Sequence, residues 1–272
     1  MSDQHTGGAP DADLELAHSA VQWAREAGEL TLGLFRRADL EVDTKADGTP
    51  VTFADREAEL LLRRRISAER PDDTIRGEEH EDHQGTSGCS WTLDPIDGTS
   101  AFSHGVGTYS NLVQFSDEHG PAIGIINLPA LGECVWAARG HGAFFGDQPV
   151  DSPQRGVDDL DGRVLCVSGF HCWNVDMFDR ALGAGVSIRT WGDAYGYALV
   201  VTGRADAMFD PLLEWWDLAA VQLICSEAGV RLTRSDGSDD VSVPHHEGAY
   251  GYSAIASAGG SHGRWVEMLR SR

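Results

Sequence analysis

The stretch Trp91-Thr92-Leu93-Asp94-Pro95-Ile96-Asp97-Gly98-Thr99 concentrates the residue types best suited to chemistry. An apolar strand runs into two carboxylates three positions apart, Asp94 and Asp97, with Pro95 stiffening the turn between them. Gly98 and Thr99 then offer backbone N–H groups at what reads as a helix start. Two carboxylates so placed can bridge or share divalent cations, and free N–H groups at a helix N-terminus suit a phosphate. Together they describe a site for metals and a phosphoryl group at once, as in two-metal displacement. A lone Asp-x-x-Asp more often reads as a solvated acidic turn with an N-cap aspartate, so the rest of the chain decides between the two.

Two further segments keep this one company: Gly77-Glu78-Glu79 upstream and Trp215-Trp216-Asp217-Leu218-Ala219-Ala220 downstream. Taken alone, Asp217 is most simply a helix N-cap, and Glu79 is one of 43 acids.

Periodicity indicates the elements that must hold these segments. Leu16, Ala20, Trp23, Ala27, Leu30 and Leu34 form one apolar helical stripe beginning near Leu14. A short strand follows over 40–44, then a helix over 53–67 opened by the Thr52/Asp55 start signal. Strands over 90–93, 110–115, 122–126 and 133–138 come in quick succession, which predicts an antiparallel layer. From about residue 162 the pattern alternates. Strands are expected over 164–168, 186–188, 207–209 and 230–232, and helices over 175–182, 194–201 and 218–228. The expected organisation is a polar tail over 1–11, an α+β half over 12–155 and an α/β half over 156–272, divided in the loop around 151–162.

In their order, the three segments resemble the inositol monophosphatase superfamily of Mg²⁺-dependent phosphomonoesterases. That family shows a Gly-Glu-Glu segment, a Trp-x-x-Asp-Pro-Ile-Asp-Gly-Thr segment and a Trp-Asp-x-Ala segment; here they are Gly77 to Glu79, Trp91 to Thr99 and Trp216 to Ala219. The resemblance extends from about Lys45 to Gly229. It implies an α/β fold, a layered αβαβα sandwich with the active site between the halves, and a homodimer. It implies that Glu79, Asp94 and the Ile96 carbonyl hold one Mg²⁺. Asp94, Asp97 and Asp217 would hold a second, and Glu79 with waters a weaker third. Gly98 and Thr99 would meet the phosphate. The Thr99 hydroxyl with Asp55, in Pro50-Val51-Thr52-Phe53-Ala54-Asp55, would orient and help deprotonate the attacking water. Lys45, the only lysine in the chain, matches a family lysine near the site.

Elementary chemistry agrees with those roles. Oxygen ligands with no His or Cys favour hard Mg²⁺, and a metal lowers the pKa of its bound water. No protein nucleophile is then required. The alternative, a covalent aspartyl-phosphate through Asp94 or Asp97, lacks the flanking pattern of phosphatases that work so.

Residues 189–211, together with Gly85-Thr86-Ser87-Gly88, resemble the histidinol-phosphatase branch of the superfamily. The resemblance implies a substrate pocket at Gly192, Asp193, Ala194 and Asp210, beside Asp97 and Asp217. Acidic Asp193 and Asp210 suit a substrate carrying an ammonium group, such as histidinol phosphate. They are equally an N-cap and a turn. The branch usually has a basic residue directly after the Thr, and a Gly-Thr pair near positions 110 and 111. Ser100 and Ser110-Asn111 depart from both. Histidinol phosphate, inositol monophosphate and another small sugar or nucleotide phosphate all stay open as substrates. A catalytically silent homologue would have lost a ligand, and Asp55, Glu79, Asp94, Asp97, Thr99 and Asp217 are all present.

Composition excludes other partners. With 21 basic and 43 acidic residues the net charge is −22, which repels nucleic-acid phosphates and anionic lipid alike. No apolar run approaches a membrane span. Five widely spaced cysteines without a Cys-x-x-Cys pair, and an N-terminus unlike a signal peptide, fit a reducing, cytoplasmic compartment. His80, His83, His171 with Cys172, and His245 with His246 match no metal spacing, and Arg63-Arg64-Arg65 reads as a solvated helix face.

Overall fold

The computed structural model describes residues 9–37, 42–44, 50–150, 159–170, 173–244 and 250–270. Lys45, His171, Cys172, His245, His246 and most of the expected N-terminal tail lie outside these residues. From residue 10 the chain is held to the surface: Arg139 Nε donates to the Pro10 carbonyl and the Ala12 N–H to the Arg139 carbonyl.

Asp13 caps α1 (Leu14–Leu34) by accepting from the Glu15 and Leu16 N–H groups. The apolar stripe of α1 buries Ala20, Trp23 and Ala27. The antiparallel pair β1 (Val42–Thr44) and β2 (Pro50–Thr52) leads into α2 (Phe53–Glu69). Thr52 and Asp55 form the expected capping box, each satisfying a backbone N–H that the helix start would strand.

A seven-stranded sheet follows in chain order: β3 (Thr74–Gly77), β4 (Ser90–Asp97), β5 (Ser110–Asp117), β6 (Gly120–Leu128), β7 (Glu133–Ala138), β8 (Gly142–Phe145) and β9 (Gln148–Pro149). A single turn of helix, α3 (Thr99–Ser103), interrupts it after β4. From β4 onward all neighbours are antiparallel, as expected, whereas β3 joins β4 in parallel.

The second part alternates. Its elements are β10 (Val164–Val167), α4 (Val175–Gly183), β11 (Ser187–Arg189), α5 (Asp193–Val201), β12 (Ala207–Leu213), α6 (Trp215–Glu227), β13 (Arg231–Thr233), β14 (Tyr252–Ser257) and α7 (His262–Leu269). The strands form a five-stranded sheet in the order β11-β10-β12-β14-β13. β10 is parallel to both neighbours, and β14 is antiparallel to both of its own.

The layers are those of an αβαβα sandwich. Helices α1 and α2 cover one face of the large sheet; α5 and α6 fill the space between the sheets; α4 and α7 cover the far face of the small sheet. The central core joins Leu112, Ile126 and Val135 of the large sheet to Leu199, Val221 and Ile224 of the middle helices and to Met208 and Ala254 beyond them. Each of the larger side chains contributes roughly 1.5–3 kcal/mol by leaving water. Because α5 and α6 are covered on both sides they are apolar nearly all round, unlike a surface helix. Among the described residues no helix is long and apolar enough to cross a membrane.

Candidate active site

Asp94 and Asp97 should point to opposite faces of a regular strand, because side chains alternate. They do not, because β4 bulges. Asp94 pairs with Leu112 and Asp97 with Ser110, so three steps on β4 match two on β5. Pro95 sits in the bulge, where its missing N–H breaks no ladder bond. The Asn111 side chain donates to the Pro95 carbonyl at 2.6 Å, and Asn127 in turn donates to Asn111 at 2.9 Å. Ser110 Oγ donates to Asp97 Oδ2 at 2.7 Å. The two residues that departed from the expected pattern, Ser110 and Asn111, thus brace the acidic strand from the neighbouring strand β5.

The extra residue brings the carboxylates together. Asp94, Asp97 and Asp217 each offer an oxygen within 4.8 Å of the others. Asp217 lies in the first turn of α6, and the Glu214 N–H donates to its Oδ2 at 2.8 Å. The expected N-cap role passes to Glu214, because the helix begins at Trp215, three residues before the apolar run at Leu218.

Glu79 does not line the cavity around this cluster; its neighbour Glu78 does. The cause is register. Gly77 pairs with Leu93 in the parallel β3–β4 ladder and the Glu78 N–H reaches the Leu93 carbonyl, so the next step sets Glu78 beside Asp94. The Glu79 N–H instead donates to Glu59 Oε2 at 2.8 Å, on α2.

The cavity has a volume of about 590 Å³, and its lining includes Asp94, Ile96, Asp97, Gly98, Thr99, Asp193, Asp210 and Asp217. Asp55 is fully buried behind Thr99, whose hydroxyl lies 3.3 Å from Asp55 Oδ1 and 3.1 Å from the Ile96 carbonyl. Gly98 adopts φ +78°, and a Cβ there would stand 2.9 Å from Asp193 Oδ2, so glycine serves both the turn and the approach of that carboxylate. Asp193 itself opens α5 at φ +54°, with Gly192 as the cap residue in place of the expected Asp193. Gly192 and Ala194 do not line the cavity. The Ala194 N–H donates to Asp97 Oδ2 at 2.8 Å and ties the middle layer to β4.

Trp216 of the Trp-Asp-x-Ala segment also lines the cavity, as do Ser168, Glu214 and Tyr250, which had no motif to announce them. Ser168 Oγ donates to Asp210 Oδ2 at 2.7 Å and accepts the Asp193 N–H at 2.9 Å, joining the two acids across sheet and helix. Asp210 is a buried strand residue, with the irregularity of β12 following it. None of His80, His83 or Arg63–Arg65 lines the cavity.

Residues 13–267 match the inositol monophosphatase family. The chain belongs to that family. Its curated relatives include the histidinol-phosphatase of Chlorobaculum parvum, 42% identical over 80% of this chain and 83% of that one. The histidinol-phosphatase of Mycobacterium tuberculosis is 37% identical over 93% of this chain and 96% of that one. The crystal structure of the extragenic suppressor protein suhB of Bartonella henselae superimposes with a TM-score of 0.83 at 26% identity, covering 94% and 99% of the two chains. The chain is a phosphoric monoester hydrolase of the inositol monophosphatase and histidinol-phosphatase type.

The inositol monophosphatase fold concentrates unusual charge here. Asp94 is raised well above the ordinary carboxylate range, first by burial and then by Glu78, Asp97 and Asp217 facing it. Burial pushes Asp97 up to about 7; Asp193 adds to this, while the Ala194 N–H and Ser110 hydroxyl oppose it. Burial, then Asp97, raises Asp217 well above the ordinary carboxylate range. Asp210 and Asp193 are raised chiefly by burial. Asp94 Oδ1 is buried with no hydrogen-bond partner. Converging carboxylates with an orphaned oxygen are costly without a cation, so this family member's acidic cluster fits a divalent metal.

Proposed function

We propose that the chain is a Mg²⁺-dependent phosphatase acting on histidinol phosphate by direct attack of water. The observation that carries the substrate is the pair of acids, Asp193 and Asp210, joined through Ser168 in the same cavity as the acidic cluster. Two acids some residues from the metal ligands suit an ammonium at the far end of a phosphate ester. Relatives bearing the histidinol-phosphatase name support the same reading.

Glu78, rather than Glu79, would hold metal with Asp94, Asp97, Asp217 and the Ile96 carbonyl. The donor set is all oxygen, as Mg²⁺ prefers. Bound there, divalent ions would offset the charge of substrate and acids and acidify water for attack. The first turn of α3 leaves N–H groups at Thr99 and Ser100 without intrahelical partners, available to phosphoryl oxygens. Thr52 engages Asp55 Oδ2 through both its N–H and its hydroxyl, which leaves Oδ1 for the Thr99 hydroxyl. Asp55 therefore orients Thr99 as a donor toward itself, with the Thr99 lone pairs free to accept from water and pass its proton inward.

A second reading, a polyol phosphate such as inositol 1-phosphate, is favoured by Ser100, a neutral residue lining the cavity where the resemblance leads to a basic one. Phosphate release with Mg²⁺ from histidinol phosphate, inositol 1-phosphate, fructose 1,6-bisphosphate and adenosine 3′,5′-bisphosphate decides between them. The highest kcat/KM should fall on histidinol phosphate; a preference for inositol 1-phosphate would transfer the assignment. The homodimer and cytoplasmic location belong to the same proposal, with the oligomer read by sedimentation.

A further inference from the structure

We infer that Glu59 is a positioning residue for the divalent-metal site, fixing the segment that carries Glu78. The inference rests on the proposed reading of Glu78 as a metal ligand. Glu59 lies in α2, is fully buried and does not line the cavity. Its Oε2 accepts the Glu79 N–H at 2.8 Å, and its Oε1 accepts Arg63 Nε at 2.7 Å. Arg63 then donates through Nη2 to the His80 carbonyl at 3.2 Å, so one carboxylate–guanidinium pair grips the chain at 79 and 80. On the other side, the Glu78 N–H is held by the Leu93 carbonyl.

The fit is close enough to dictate a residue. A Cβ at position 77 would stand 2.2 Å from Glu59 Oε1, so Gly77 is the space that Glu59 occupies. Glu78 is thereby fixed between a glycine packed on Glu59 and a backbone N–H bonded to it. A ligand whose backbone is held in this way presents its carboxylate without first paying ordering entropy, the general role of groups behind a metal's ligands. Truncating Glu59 frees the segment and also strands Arg63.

The test is calorimetric titration of Mn²⁺ into metal-free protein, comparing wild type, Glu59→Gln, Glu59→Ala, Glu78→Ala and the Glu59→Ala/Glu78→Ala double variant, with folding checked by circular dichroism. Glu59→Ala should weaken Mn²⁺ binding about ten- to hundredfold. In the Glu78→Ala background it should add almost nothing, because the ligand it positions is gone. Glu59→Gln, which retains an acceptor for the Glu79 N–H, should lose several-fold and carries the test if the alanine variant fails to fold. Unchanged Mn²⁺ affinity in a folded Glu59 variant, or losses that add with Glu78→Ala, would overturn the inference while leaving Glu78 as a ligand. Wild-type affinity in Glu78→Ala would remove the ligand assignment and this inference together.

Discussion

Glu78 stands beside Asp94 because β3 and β4 run parallel in a one-to-one register that ends at Gly77 and Leu93. One residue further, the Glu79 N–H bonds to the buried Glu59 of α2, and Glu79 does not line the cavity. Glu78→Gln should therefore cut kcat at least about a hundredfold and raise the Mg²⁺ concentration for half-maximal rate. Glu79→Gln should stay within a few-fold of wild type. Equal losses in the two variants would remove the register argument.

Asp94 holds a buried oxygen with no partner, faced by three other acids. Asn at this position removes a charge that only a cation would compensate. In EDTA the Asp94→Asn variant should melt higher than wild type by roughly 2–4 °C, about 1–2 kcal/mol at this chain length. With Mg²⁺ the order should reverse, since wild type gains stability from the ion it binds and the variant does not. Turnover should be lost throughout. Retained turnover would sink the metal assignment.

The Asp193 carboxylate is held in place by an unusual backbone, φ +54°, against a glycine that leaves room for it. Asp193→Asn keeps the shape and removes the charge. For histidinol phosphate kcat/KM should drop about 10- to 100-fold, the weight of one hydrogen bond to a charged group. For inositol 1-phosphate the change should stay below about threefold. Parallel kinetics on both esters measure this, and equal losses would end the case for an ammonium subsite.

His262, which does not line the cavity, sets a pH limit on stability. Its ring is buried between the Thr233 hydroxyl at 2.9 Å and the Ser257 hydroxyl at 2.7 Å. Burial, then repulsion from Arg231, pushes its pKa down to about 4, with Asp239 opposing. Between about pH 6.5 and 4 the unfolded chain binds a proton that the folded chain refuses, so stability falls as pH falls through that window. The slope from this residue is at most about 1.4 kcal/mol per pH unit. Urea unfolding at pH 7 and pH 5 should show a smaller difference in His262→Gln than in wild type. Identical pH dependence in the two proteins would exclude His262 as the source.

Much of the site was legible because its residues are adjacent in sequence. Asp94, Asp97, Gly98 and Thr99 form one continuous signal, and β7 spans the residues its pattern predicts. Features set by pairing rather than by local sequence escaped. The choice of Glu78 over Glu79 depends on a parallel register, and β3 is four residues long with one inward side chain, too short to show a period. The bulge that turns Asp94 and Asp97 to one face is visible only against β5. β14, Tyr-Ser-Ala-Ile-Ala-Ser, is buried on both faces and so lacks alternation. Ser110 and Asn111 looked like departures bearing on substrate; they turn out to hold Asp97 and the Pro95 carbonyl.

The Ala194 N–H bond to Asp97 spans 97 positions of the chain. Its consequence is kinetic. The strands β4 to β9 pair with their sequence neighbours, so that layer closes only short loops during folding. Asp217 and the α5 start reach that layer only across about a hundred positions of chain, which predicts a later, non-local step. An early intermediate should therefore have much of its native secondary structure yet capture divalent ions poorly. Refolding followed in parallel by far-ultraviolet circular dichroism and by Tb³⁺ luminescence should show the ion signal lagging; simultaneous recovery would mean that the acids assemble before the two sheets dock.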